Sequence, residues 1–190
     1  MKKILLISLC FLAMNSFSQK RATQFSITGE GAVMATKQAF SVYNLGFGGS
    51  AKVLFPTGKK NYFTTTLGVM AFSGRAGNPS EIFGTSLPAA GVNIAHPPLT
   101  LIVPKVGYKY FFNSKFNGEV EIGYTKAIVK KLFESIPGNI GGFTYSLGFG
   151  FLVTKKLDIG MRYEQFESTA SEKDFTSFVA LRALINIDFK

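Results

Sequence analysis

Residues 143–153 read Phe143-Thr144-Tyr145-Ser146-Leu147-Gly148-Phe149-Gly150-Phe151-Leu152-Val153. Large apolar side chains take the odd positions, and Thr, Ser and Gly fall between them. Successive side chains of an extended strand point to opposite faces, so this stretch presents one bulky apolar face and one small polar face. A soluble sandwich or ligand-binding barrel turns its apolar face onto a core. Here the small, polar face cannot make the dry core of many strands, and the Phe and Tyr face is too much large apolar surface to leave in water. Lipid against the apolar face resolves this, because the bulky side chains then point outward and the small ones line a narrow lumen.

The same alternation runs outward in both directions. Towards the N-terminus it appears at about 22–34 (Phe25, Ile27 and Val33 against Ser26, Thr28 and Glu30), 43–55 (Phe47, Ala51 and Val53 against Gly48, Ser50 and Lys52) and 61–72 (Leu67 and Val69 against Thr64 and Thr66). It returns at about 100–112 (Val106, Tyr108 and Tyr110 against Lys105 and Lys109) and 117–126 (Val120, Ile122 and Tyr124 against Glu119 and Glu121). The quoted stretch, about 142–153, is followed by about 157–166 (Ile159, Met161 and Tyr163 against Asp158, Arg162 and Glu164) and 177–189 (Leu181, Ile185 and Ile187 against Arg182 and Asn186). Eight strands of this length are predicted, each able to cross a bilayer when tilted. The connections alternate too. Pro56 to Lys60, Asn113 to Lys115 and Thr154 to Lys156 are tight turns, whereas Ala35 to Val42, Ser73 to Leu99, Ala127 to Gly141 and Glu167 to Thr176 are longer. The expected fold is an all-β, eight-stranded antiparallel up-and-down transmembrane β-barrel with both termini on the short-turn, periplasmic side.

Composition agrees. The 190 residues are 46% hydrophobic and only 17% charged, too apolar for a disordered chain and too weakly charged for an ordinary soluble surface. One Cys and one His exclude a disulfide framework and an ordinary zinc site. At the N-terminus, Lys2-Lys3, an apolar run from Ile4 to Met14 and small residues at the −3 and −1 positions, Ser16 and Ser18, read as a secretory signal. Residues 1–18 are therefore expected to be removed, Cys10 with them, leaving 19–190 as the barrel.

The net charge of +10 would suggest nucleic acid in a cytosolic chain. Its distribution removes that reading. Basic and acidic residues nearly cancel on the lumenal face and in the long loops, while Lys20, Arg21, Lys59, Lys60, Lys115, Lys155, Lys156 and Lys190 fall on the short turns and termini with no acid among them. These are either solvated turn residues or a rim meeting anionic headgroups or another periplasmic polyanion. On the lumenal face, Glu30, Lys52, Lys105, Lys109, Glu119, Glu121, Arg162, Glu164 and Arg182 are the candidate site, a structural charge network. Lys105 and Lys109 lie across a tight hairpin from Glu119 and Glu121, so Lys109 is expected to reach Glu119. Glu30 and Arg182 fall at similar depth on the strands that close the barrel. An acid/base pair acting on a substrate is the alternative use of such groups.

Other motifs carry less. His96 stands before Pro97-Pro98, with Ser73, Ser80 and Ser86 near it only in sequence, and a hydrolase needs its Ser and His held by rigid elements. Gly46, Gly48 and Gly49 imitate part of a nucleotide-binding fingerprint, yet no helix follows, and inward Gly makes room in a narrow lumen. Ile128, Val129, Leu132, Phe133 and Ile136 suit either a short amphipathic turn on the membrane surface or a strand extension. No catalytic, cofactor-binding or metal-binding residue is assigned.

The runs Val106-Gly107-Tyr108-Lys109-Tyr110-Phe111-Phe112 and Leu157-Asp158-Ile159-Gly160-Met161-Arg162-Tyr163, with the last strand Ala183 to Phe189, resemble the small outer-membrane β-barrel families of Gram-negative bacteria, OmpA/OmpX-like, and the PorT-like "outer membrane protein beta-barrel domain" group. Lys190 after Phe189 departs from the usual terminal aromatic by one residue. The resemblance implies a multi-pass protein of the cell outer membrane, assembled by the barrel-insertion machinery, in contact with outer-membrane lipid and with other envelope proteins, and no active-site residue. The expected function is non-enzymatic: a barrel with a side-chain-filled polar lumen whose extracellular loops serve adhesion, envelope integrity or assembly with envelope partners. A lipid-modifying enzyme and a small-solute channel are the alternatives.

Overall fold

A computed structural model describes residues 22–36, 43–74, 76–77, 94–95, 98–129, 139–167 and 175–188. The described strands are β1 (Gln24–Met34), β2 (Tyr43–Pro56), β3 (Asn61–Gly74), β4 (Ala76–Gly77), β5 (Ile94–Ala95), β6 (Leu99–Phe111), β7 (Phe116–Val129), β8 (Asn139–Leu152), β9 (Leu157–Glu167) and β10 (Phe175–Asp188). Eight of them close into a barrel in the order β1-β2-β3-β6-β7-β8-β9-β10, every pairing antiparallel, with β1 sealing against β10. The eight alternating stretches of sequence are these eight strands. Each is 11–14 residues long, which leaves a strand tilted across a bilayer some residues to spare at the ends.

Two details go beyond the sequence pattern. Between β3 and β6 the chain forms a separate two-stranded ribbon, β4 with β5, inside the stretch expected to be loop. Around the third long connection, β7 runs through Ile128 to Val129 and β8 begins at Asn139, so those two apolar residues extend a strand. The amphipathic alternative for Leu132, Phe133 and Ile136 lies outside the described residues, as do the signal segment Met1 to Ser18, His96, Ser80, Ser86 and Phe189-Lys190.

Two of the three tight turns are held by their own side chains. Asn113 Oδ1 accepts from the backbone N–H groups of Lys115 and Phe116 at 2.8 Å each, and Thr154 Oγ1 accepts from those of Lys156 and Leu157 at 3.2 and 3.0 Å. These short connections fix register, and the two-residue period does the rest. Phe47 is 69% and Leu181 68% exposed, whereas Lys109 is 1% exposed. That inversion is unsustainable in water and natural in lipid. Outward rings gather at the turn end: Phe55 with Phe63, Tyr110 with Phe112 and Phe116 with Phe151 have centroids 6.5, 5.4 and 5.0 Å apart. They form part of the aromatic girdle that marks a membrane interface.

Candidate functional site

The lumen is stacked in three layers. In the middle layer, Lys52, Glu119, Glu121, Lys105, Glu164, Arg162, Glu30 and Arg182 are all buried. They form a single chain of alternating sign. Arg182 Nη1 lies 2.8 Å from Glu119, which also pairs with Lys52, and Lys52 Nζ lies 3.0 Å from Glu121. Lys105 Nζ bridges Glu121 at 3.1 Å and Glu164 at 2.6 Å, and Arg162 connects Glu164 at 3.4 Å to Glu30 at 2.7 Å. Four cations thus alternate with four carboxylates, and the chain is neutral. Hydroxyls complete it, with Thr66 Oγ1 donating to Glu121 Oε1 at 2.6 Å and Ser146 Oγ to Glu121 Oε2 at 3.2 Å. Charges from β1, β2, β6, β7, β9 and β10 and hydroxyls from β3 and β8 bring every strand of the barrel into one polar network.

Below it, towards the turns, Lys109 Nζ donates to Asp158 Oδ2 at 2.7 Å, and Asn117 Nδ2 donates to the same oxygen at 3.0 Å. This corrects the expected partner of Lys109. Lys109 and Glu119 do stand opposite each other in the β6–β7 register, but Glu119 is engaged by Lys52 and Arg182. In so narrow a barrel a long side chain meets the far wall as readily as its own hairpin. Glu30 and Arg182 are likewise register partners across the closing seam, yet each pairs elsewhere, Glu30 with Arg162 and Arg182 with Glu119. Inward Gly makes these crossings possible: a Cβ on Gly150 would come within 2.5 Å of Asp158 Oδ1 and 2.7 Å of Asn117 Oδ1.

The third layer, at the loop end, is apolar. Met34, Met70, Phe72, Leu99, Leu101, Val103, Phe166 and Phe178 form one buried cluster with Ala32, Ala127 and Ala180. Phe72 and Phe178 meet edge to face at 5.5 Å. The expectation of a wholly small and polar inward face fails here. The signal was present, because Met34, Met70, Phe72, Phe166 and Phe178 continue the inward phase of their strands, and it was hidden by the charges further along the same faces. A cavity of about 10 Å³ lies in the middle layer beside Lys105, Arg162 and Glu164, scarcely one water's worth. A far larger cavity, about 530 Å³, opens at the turn end. Gly46, Gly48 and Gly49 lie within β2, where a Cβ on Gly46 would meet the Phe72 ring at 2.5 Å. Ser73 Oγ donates to the Leu45 carbonyl at 3.3 Å. Among the described residues no group of three or more His, Cys, Asp and Glu side chains is placed to hold a metal ion.

Fold and site together define a class: a small, closed transmembrane β-barrel whose lumen is filled by its own side chains. Solved structures of similar architecture include small outer-membrane barrels. Ail, the attachment invasion locus protein of Yersinia pestis, in complex with the heparin analogue sucrose octasulfate, superposes with a TM-score of 0.57 at 14% identity over 88% of this chain and 100% of that one. The N-terminal β-barrel domain of Pseudomonas aeruginosa OprF gives 0.53 at 11% identity, covering 89% and 100% of the two chains. Neisserial surface protein A gives 0.53 at 14% identity, covering 88% and 97%. At these identities the likeness is one of fold. No family model and no curated protein matches the chain.

Proposed function

We propose that this chain is a non-enzymatic, non-conducting barrel of the cell outer membrane. Residues 19–190 form the barrel after loss of 1–18, with both termini in the periplasm. It carries its long loops (35–42, 73–99, 127–141 and 167–176) at the cell surface for adhesion, envelope integrity or assembly with other envelope proteins. The observation that carries this reading is the double seal of the lumen. A neutral ion chain from six strands, joined by hydroxyls from the other two, ties all eight walls together, and an apolar cluster caps it on the loop side. Each carboxylate of the chain is already paired with at least one buried cation, which makes it a poor acid or base for a substrate and favours a structural role for the network. The fold shared with Ail, a protein named for attachment and invasion, supports the adhesion branch.

The test is planar-bilayer conductance of the refolded mature protein, checked for folding by its gel mobility shift on heating. The expected record has no discrete steps above baseline. Reproducible unitary currents would overturn the non-conducting reading in favour of a small-solute channel.

A further inference from the structure

The cavity of about 530 Å³ at the turn end lies within the range of small-ligand sites, and its lining is one-signed. Lys59 and Lys60 enter it from the β2–β3 turn and Lys155 from the β8–β9 turn, with Lys109 at its inner end and no acidic residue in the lining. Lys109 is neutralised by Asp158. The other three are not compensated: among the described residues Lys59 and Lys155 have no ion pair, and Lys60 makes only a 3.4 Å contact to the Phe112 carbonyl. The turns 57–60, 112–115 and 153–156 contain no Asp or Glu.

Three lysines from two turns line one concavity walled by the low-dielectric barrel, which focuses their field inward. Asn113 adds a donor. Its Oδ1 is used within its own turn, so its amide N–H groups are what it can offer a ligand. Lysine ammoniums bind phosphate as compact point charges, and three of them together suit a multiply charged oxyanion better than a single carboxylate.

We propose that this vestibule is a binding site for a phosphate-bearing anion, held by Lys59, Lys60 and Lys155. The phosphate comes from a lipid headgroup of the adjoining leaflet or from a free phosphorylated solute. The site goes beyond the role assigned to the loops and is independent of whether the lumen conducts.

The experiment uses the refolded barrel in phosphatidylcholine nanodiscs at low salt, titrated calorimetrically with tripolyphosphate. Three proteins are compared: wild type, K59S/K60S/K155S, and K115S/K156S, which removes two turn-end lysines that do not line the cavity, Lys156 from the same turn as Lys155 and Lys115 from the β6–β7 turn. Wild type and K115S/K156S should bind alike, and the triple variant at least about tenfold more weakly, since three exposed charge contacts worth a few-fold each are lost together. All three must show the heat-dependent mobility shift. No binding by wild type, or equal loss in both variants, would overturn the site in favour of general rim charge. Equal affinity for tri-glutamate would overturn the assignment to phosphate. Repeating the titration in phosphatidylglycerol nanodiscs separates the sources: a headgroup ligand competes and weakens tripolyphosphate binding, while a soluble ligand's site binds it equally in both lipids. The wild-type conductance record can fail its own expectation without touching any of these readings.

Discussion

Lys109 stands opposite Glu119 in the backbone register, yet its ammonium crosses the lumen to Asp158 at 2.7 Å. Alternation along a strand tells which residues face inward and nothing about which wall they reach, because reach depends on tilt and stagger around the whole barrel. The identity of the lumenal charges was therefore legible in the sequence and their pairing was not. Lys109→Met strands a buried carboxylate and should cost about 3–5 kcal/mol, as should Asp158→Asn, while the double change should cost clearly less than their sum. Lys109→Met combined with Glu119→Gln should lie closer to additive. Urea unfolding of the refolded barrel measures both cycles, and stronger coupling to Glu119 than to Asp158 would contradict the pairing. The outward face obeys a different rule. Leu147 faces lipid, so Leu147→Arg should cost about 2–4 kcal/mol near the midplane. Its neighbour Ser146 faces inward and donates to Glu121, so Ser146→Ala should cost about 1 kcal/mol, the value of one lost hydrogen bond.

At the scale of the strand, the eight elements were readable because lipid makes the alternation extreme: Phe or Tyr on one side, Gly, Ser, Thr or charge on the other. The two-residue β4–β5 ribbon was not readable, since Ala76-Gly77 and Ile94-Ala95 are too short to show any period. The apolar cap was readable in principle, and it depends on how closely β2 and β3 approach. The Phe72 ring lies over Gly46 where a side chain would otherwise stand, on the β2–β3 register pair Gly46–Phe72. A methyl at Gly46 has to displace that ring, which in turn packs on Phe178. Gly46→Ala should therefore cost about 1–3 kcal/mol by overpacking. Phe72→Leu, destabilising on its own, should recover much of that loss in the Gly46→Ala background. The unfolding midpoints of the four proteins decide the matter, and a double variant as unstable as the sum of its parts would mean that the ring and the glycine are not in contact.

For the molecule as a whole, the two inner layers act as barriers in series. An ion entering from the turn-side vestibule meets first the Lys109–Asp158 pair and the alternating ion chain, whose charges are already paired with one another, and then an apolar cap that offers it no partner. Barriers in series are not relieved one at a time. Phe72→Ala with Phe178→Ala empties part of the cap but leaves the charged layer tied across all eight strands, so that variant should stay silent in a planar bilayer although less stable by several kcal/mol. Removing the Glu30–Arg162 pair as Glu30→Ala with Arg162→Ala opens the middle layer beside the 10 Å³ cavity that Arg162 lines, and leaves the cap in place. That variant should be silent as well. Only the four substitutions together breach both the ion chain and the cap, and only that protein should show unitary currents, provided its heat-dependent mobility shift confirms a folded barrel. Conductance in the cap variant alone would mean that the ion chain is a wet, permeable layer and that the apolar cluster does the sealing by itself.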